Sequence, residues 1–226
     1  MSDCNSIGLI WEDPNTRSKM IVGELKKQDG YTFNYTGEYE TARDLGWEML
    51  RPFPEVRVYH SKRLFPVFAS RLPDRRRRDI KNILAEYGMK EYDAYELLKR
   101  SGARLPIDTY EFAEIILVDD KEIDNRFYIS GMRYNAKCQG KDCHCLSDIN
   151  EGDELILKRV YNNDFDKYAT GIYRKNGEML GFVPAYYTQA ITHKMEIGMK
   201  YNCQIDRFNC NGKCGECVRV RLKMTR

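Results

Sequence analysis

The chain lacks a strong charge of either sign, a long apolar run and any crowd of histidines. Its 37 Lys and Arg stand against 34 Asp and Glu, a net charge of +3. Bulk attraction to a polyanion is therefore excluded as a sorting signal, and any nucleic-acid contact must come from local clusters. No apolar run approaches the length that crosses a bilayer, so no membrane partner is expected. Met1-Ser2-Asp3-Cys4-Asn5 has neither the basic nor the apolar region of a secretion signal, and the expected location is cytoplasmic. His60, His144 and His193 are scattered, and the paired acids Asp119-Asp120 fall in a polar, linker-like stretch. A nuclease or other hydrolase is thus disfavoured, and the chain is expected not to be an enzyme. There is no internal repeat and no low-complexity segment.

What is present is ordinary for a globular protein: 42% hydrophobic and 31% charged residues in 226, enough for one large or two ordinary domains. Sixteen tyrosines offer flat faces with hydrogen-bonding rims, although strands favour tyrosine too. The first third reads as strands over 7–11, 20–25 and 31–35, separated by the turn sequences Asp13-Pro14-Asn15 and Gln28-Asp29-Gly30. A short helix is predicted over 40–46 and a strand near 56–59. Asp74 is a plausible N-cap for a helix carrying Ile80, Ile83, Leu84 and Tyr87 at helical spacing up to Gly88. A second helix over 92–100 stops at Gly102, and a strand over 112–118 follows. The acidic stretch 119–125 reads as a boundary. Beyond it come short strands, many turns and one helix near 185–192, the description of a small, partly open barrel.

Three segments of that second half carry chemistry. Phe127-Tyr128-Ile129-Ser130-Gly131-Met132-Arg133-Tyr134 reads as a strand. Asn162-Asn163-Asp164-Phe165-Asp166-Lys167-Tyr168-Ala169 reads as a loop, and Asn176-Gly177 leads to Gly181-Phe182-Val183-Pro184. Taken alone, Asn163 and Asp166 could be turn residues satisfying backbone amides, and the aromatics could be core. As an ordered set over 127–208 they resemble a HIRAN domain, a module of helicase-like DNA repair proteins and of small bacterial proteins. The resemblance implies an OB-like barrel that binds the 3′ end of single-stranded DNA. Arg133 and Tyr134 match its arginine–tyrosine ledge, and Asn163, Phe165 and Asp166, followed by Lys167, its acidic loop. Rings stack on any base, a guanidinium forks onto phosphate, and a carboxylate accepts from a terminal hydroxyl while repelling phosphate. Phe165 stands where tyrosine is usual, Asp164 where proline is frequent, and Ala185-Tyr186 where lysine follows. The last two departures imply weaker phosphate attraction.

Cysteine is the other concentration. Cys4 stands alone, and the remaining seven lie after residue 137. Cys214-Gly215-Glu216-Cys217 has zinc-knuckle spacing, and Cys143 and Cys145 could complete a structural zinc site, with Cys138, Cys210 and His144 as alternates. A redox pair or buried thiols are the competing readings, and Cys203 fits the buried one.

In the first half, Arg75-Arg76-Arg77-Arg78 reads as the first turn of a helix, a position the macrodipole disfavours for cations and an anion could relieve. The plainer account is a solvated face. Val22-Gly23-Glu24-Leu25, Leu72-Pro73-Asp74 and the helices that follow resemble the amino-terminal subdomain of HipA-family kinases. No glycine-rich phosphate loop or catalytic Asp–Asn set accompanies them.

The expected fold class is α+β. A strand-rich domain over 1–120 with two or three helices precedes an OB-like β-barrel with one helix over 126–226. The expected function is non-enzymatic recognition of single-stranded DNA at its 3′ end. The alternative is a regulatory module that binds a protein partner through 1–118, with DNA binding secondary.

Overall fold

The computed structural model describes residues 6–138, 146, 148–209 and 215–226. Two compact units divide the chain, 1–115 and 116–226.

The first unit is an antiparallel sheet with short helices. Its strands are β1 (Ser6–Glu12), β2 (Lys19–Lys27), β3 (Tyr31–Tyr35), β4 (Tyr59–Ser61) and β5 (Tyr110–Glu114), in the order β4-β3-β2-β1-β5. The helices are α1 (Glu38–Asp44), α2 (Pro66–Ala69), α3 (Ile80–Glu86) and α4 (Ala94–Ser101). The core is aromatic. Phe33 and Phe53 lie 4.5 Å apart by ring centroid, and Phe53 meets Phe65 edge-on at 5.0 Å. Phe68 meets Phe112 in the same way at 5.2 Å. Helix α4 stops at Gly102, as expected, at φ 70°, and it starts at an N-cap the sequence analysis did not name: Asp93 accepts from the amides of Tyr95 and Glu96.

The tetra-arginine segment differs from expectation. Helix α3 begins at Ile80, so Arg75–Arg78 precede it and bear no first-turn penalty. The reason is local pairing. Asp74 accepts from the Arg76 amide, an Asx turn instead of an N-cap, and pairs with the Arg76 guanidinium, which holds its carboxyl down at about 2. Arg77 pairs with Asp79 at 2.7 Å. These carboxylates offset part of the patch's charge.

The second unit is a curled six-stranded half-barrel. Its strands are β6 (Ile123–Tyr128), β7 (Glu154–Arg159), β8 (Thr170–Arg174), β9 (Met179–Phe182), β10 (Lys200–Phe208) and β11 (Val218–Thr225), in the order β6-β11-β10-β7-β8-β9. Strict alternation puts Val218, Val220, Leu222 and Met224 of β11 inward. The inner face is covered by α6 (Ala185–Glu196), longer than the sequence suggests, whose Tyr187, Ala190 and Ile191 are buried. A four-residue helix, α5 (Met132–Asn135), follows β6. The strand expected over 127–134 therefore ends at Tyr128.

The acidic stretch read as a boundary is bound into this unit. Ile123, Asp124 and Asn125 belong to β6. Arg221 grips Asp124 with two hydrogen bonds of 2.7 and 2.6 Å, and Arg226 pairs with Asp120. Lys194 of α6 is fully buried, and its ammonium donates at 2.8 Å to Asp119 Oδ1, Asp119 O and Lys121 O. Three N–H donors thus meet three oxygens, which is what a buried ammonium requires. Burial is the largest single influence and would raise the Asp119 carboxyl, but the hydrogen bonds from Lys194 and from the Lys121 amide, with the nearby ammonium charges, together hold the group below the usual carboxylate range. Among the described residues no helix is long and apolar enough to cross a membrane.

The Lys194 tie makes a prediction. Asp119→Ala leaves a buried ammonium with two neutral acceptors and should cost about 3 kcal/mol in urea unfolding, whereas Lys194→Met should cost less because Asp119 still reaches water. The Asp119 contribution should be present above pH of about 4 and lost as pH falls through the lowered value. An acid titration of the wild type and Asp119→Ala that diverges nowhere would contradict the assignment.

Candidate nucleic-acid interface

The site begins with a crossing of backbones. Ser130, just past β6, exchanges hydrogen bonds of 2.9 and 2.8 Å with Phe182 of β9. These are the two edges of the six-stranded sheet, so this bridge joins its ends. Close approach is possible because residue 181 is glycine: a Cβ there would lie 2.3 Å from the Ser130 carbonyl oxygen. Gly131 then turns the chain at φ 71°, and α5 begins. Arg133 and Tyr134 follow on that turn, both exposed, Tyr134 by 84%.

On the other side of Phe182 runs β8. Gly171 pairs with Phe182, and Val183 donates to the Thr170 carbonyl. Ser130 and Gly171 are thus two strand spacings apart, about 10 Å. The segment 160–169 is the tip of the β7–β8 hairpin, closed by Arg159 opposite Thr170 and by Val160 donating to Ala169. The register therefore brings the Arg133–Tyr134 turn and the base of the acidic loop to the two sides of one strand end. The arginines 75–78 belong to the other unit.

Within the loop, the turn residues and the ledge residues divide their roles. Asn163 Oδ1 accepts from the amides of Phe165 at 2.9 Å and Asp166 at 3.0 Å, so Asn163 builds the loop. Asp166 Oδ1 accepts from the Tyr168 amide at 2.8 Å, a turn that uses one carboxylate oxygen. Phe165 is 99% exposed, with no packing role in the fold. Lys167 lies 4.9 Å over the Tyr168 ring.

Two contributors were given no role from the sequence. Arg159 donates to the carbonyls of Ala169 at 3.0 Å and Lys167 at 2.8 Å, which ties the loop to its strand. Its guanidinium lies 5.4 Å from the centre of the Tyr161 ring and 5.8 Å from that of Tyr168. Its buried Nε has no hydrogen-bond partner. Tyr161, 82% exposed, adds a third open ring beside Tyr134 and Phe165. The signal lay in the motif itself, whose first residue is Arg159, with Tyr161 two positions on.

The metal expectation is only partly visible. Cys143, His144, Cys145, Cys210 and Cys214 lie outside the described residues, and among the described ones no group of three or more His, Cys, Asp or Glu is placed to hold a metal. Cys138 and Cys217 are described, and their sulfurs lie 3.4 Å apart. Cys203 is buried alone in β10, and burial pushes its thiol up to about 12.

Since Asn163 serves two amides, Asn163→Ala should free the tip by roughly 1 kcal/mol without unfolding the sheet. Hydrogen exchange should accelerate at Phe165 and Asp166 and stay unchanged in β7 and β8. Unaltered exchange at both amides would show that the side chain does not hold the loop.

Comparison with known protein families finds two matches. Residues 124–208 match the HIRAN domain and residues 17–106 the HipA N-terminal domain, the two families that the sequence resembles. No curated protein matches the chain. Among solved structures, the HIRAN domain of human HLTF is similar at 20% identity, covering 45% of this chain and 74% of that one, with a TM-score of 0.35. A Lactobacillus plantarum protein is similar at 16% identity, covering 46% and 97%, with a TM-score of 0.37.

Proposed function

From the HIRAN match over 124–208 we infer that the second unit binds nucleic acid, and we propose that its ligand is a single DNA strand ending in a 3′-hydroxyl, held without covalent chemistry. The observation that carries this reading is three open rings, Tyr134, Tyr161 and Phe165, on segments that the register gathers around one strand end. Singly scattered exposed rings are ordinary, and it is their grouping about one strand end that marks a binding surface. Stacking is sequence-tolerant at roughly 1–3 kcal/mol per base. Arg133 supplies a fork for phosphate, and Lys167 a second cation.

Asp166 sets the preference for an end. A carboxylate among cations weakens binding to a continuous backbone or a terminal phosphate, and it accepts a hydrogen bond from a free hydroxyl. The Asn163 turn and the Arg159 clamp fix where that carboxylate stands. The segment 75–78 contributes at most diffuse attraction, since two of its arginines are already paired.

A second reading rests on the HipA N-terminal match over 17–106. In it residues 1–118 dock a protein partner, and DNA binding is secondary. Recovery of a kinase-like partner on 1–118, together with no DNA affinity at physiological salt, favours that reading over the first.

Fluorescence anisotropy with short single strands tests the first proposal. The 3′-hydroxyl strand should bind more tightly than the 3′-phosphate or a blocked end. Tyr134→Ala and Phe165→Ala should each weaken binding about five- to hundredfold, the loss of one stacked base. Asp166→Ala should erase the difference between ends, and Arg77→Ala should change mainly the salt dependence. Equal affinity for all three ends in the wild type would remove end recognition.

A further inference from the structure

We propose that Cys138 and Cys217 are two thiolate ligands of a bound zinc ion, which fastens the Arg133–Tyr134 turn to the start of β11. Both cysteines are buried, at 0% and 2% exposure, and they come from segments 79 positions apart. Their sulfurs face each other at 3.4 Å. A disulfide would need about 2.05 Å. A zinc tetrahedron with Zn–S bonds of about 2.3 Å has sulfur–sulfur edges of about 3.8 Å, so a shift of a few tenths of an ångström suits the pair to the ion.

The backbone holds the pair in place from both sides. Cys138, three residues past α5, donates its amide at 3.2 Å to the carbonyl of Met132, the first residue of that helix. The Cys217 carbonyl accepts from Asn209 at 2.8 Å, and the next residue, Val218, accepts from Ile129 at 3.1 Å. The sulfurs therefore meet where the ledge turn, β6 and β11 converge. The sequence places further thiols beside each: Cys143 and Cys145 follow Cys138, and Cys214 precedes Cys217 at C-x-x-C spacing. Those neighbours lie outside the described residues. Cys203 is the contrast within the same unit, a lone thiol opposite Leu155 and Leu222 in the strand register. Soft thiolates in such density select zinc over hard cations. On binding, each thiol gives its proton to solvent, so uptake of the ion is coupled to proton release and weakens as pH falls.

Elemental analysis of the full chain, purified under reducing conditions without chelator, should give about one zinc per chain. Cobalt substituted for zinc should show thiolate-to-metal charge-transfer absorption and the strong visible bands of a tetrahedral site. Cys138→Ser and Cys217→Ser should each lose the metal, and Cys203→Ala should keep it. Should the serine variants fail to fold, alkylation mapping of the wild type decides the matter: Cys138 and Cys217 should be protected in the zinc-loaded protein and become reactive on chelation, and equal reactivity in both states overturns the assignment. A metal-free wild type with no cobalt spectrum overturns the proposal, as does full zinc occupancy in both serine variants or a Cys138–Cys217 disulfide in the reduced preparation. Coupling of the metal to DNA rests on the end-binding reading: stripping zinc should weaken 3′-hydroxyl strands by about fivefold or more. If that reading is wrong, the metal content stays as stated and only this last effect is missing.

Discussion

Two backbone hydrogen bonds between Ser130 and Phe182 decide the form of the second unit. A six-stranded sheet has two edges, and edges invite foreign pairing. Here the edges are β6 and β9, and the bridge lets each satisfy part of the other. The contact requires a residue without a side chain at 181, because the Ser130 carbonyl occupies the place of a Cβ. From this crossing follow the turn at Gly131, the outward placement of Arg133 and Tyr134, and the neighbouring base of the hairpin loop. The candidate interface is a by-product of how the sheet closes.

Charge within this unit goes mainly into construction. Lys194 is spent on anchoring residues 119–121, Arg221 on Asp124, and Arg219 and Arg126 on Asp206. Arg159 holds the loop through carbonyls. That allocation explains why a net charge near neutrality says little about the ligand. The side chains exposed on the two segments are the rings Tyr134, Tyr161 and Phe165, with Arg133, Asn162, Asp164 and Lys167 beside them.

Much of this was legible in the sequence, for reasons that differ by element. Helix α4 was readable because its periodicity and its stop are local signals, all within residues 93–102. The order of motifs in the second half carried the family resemblance and the mixed fold class. The strand over 127–134 was overextended because a glycine in a left-handed turn is indistinguishable by pattern from a glycine in a strand. The arginines were assigned to a helix because the Asp74 turn and the Arg77–Asp79 pair are products of side-chain geometry. The acidic stretch looked like a linker because its partners, Lys194, Arg221 and Arg226, lie some 70 to 106 positions away. Asn163 was read as a ligand contact, and the structure shows it supporting the loop.

The hairpin tip between β7 and β8 is built from its own resources: an asparagine caps two amides, an aspartate a third, and one arginine at the strand end clamps the outgoing chain. A tip of this kind is a cassette. Its outward ring can be exchanged for another, or its charge retuned, while the β-sheet beneath keeps the same register. Ligand preference and fold stability can therefore drift independently over evolutionary time.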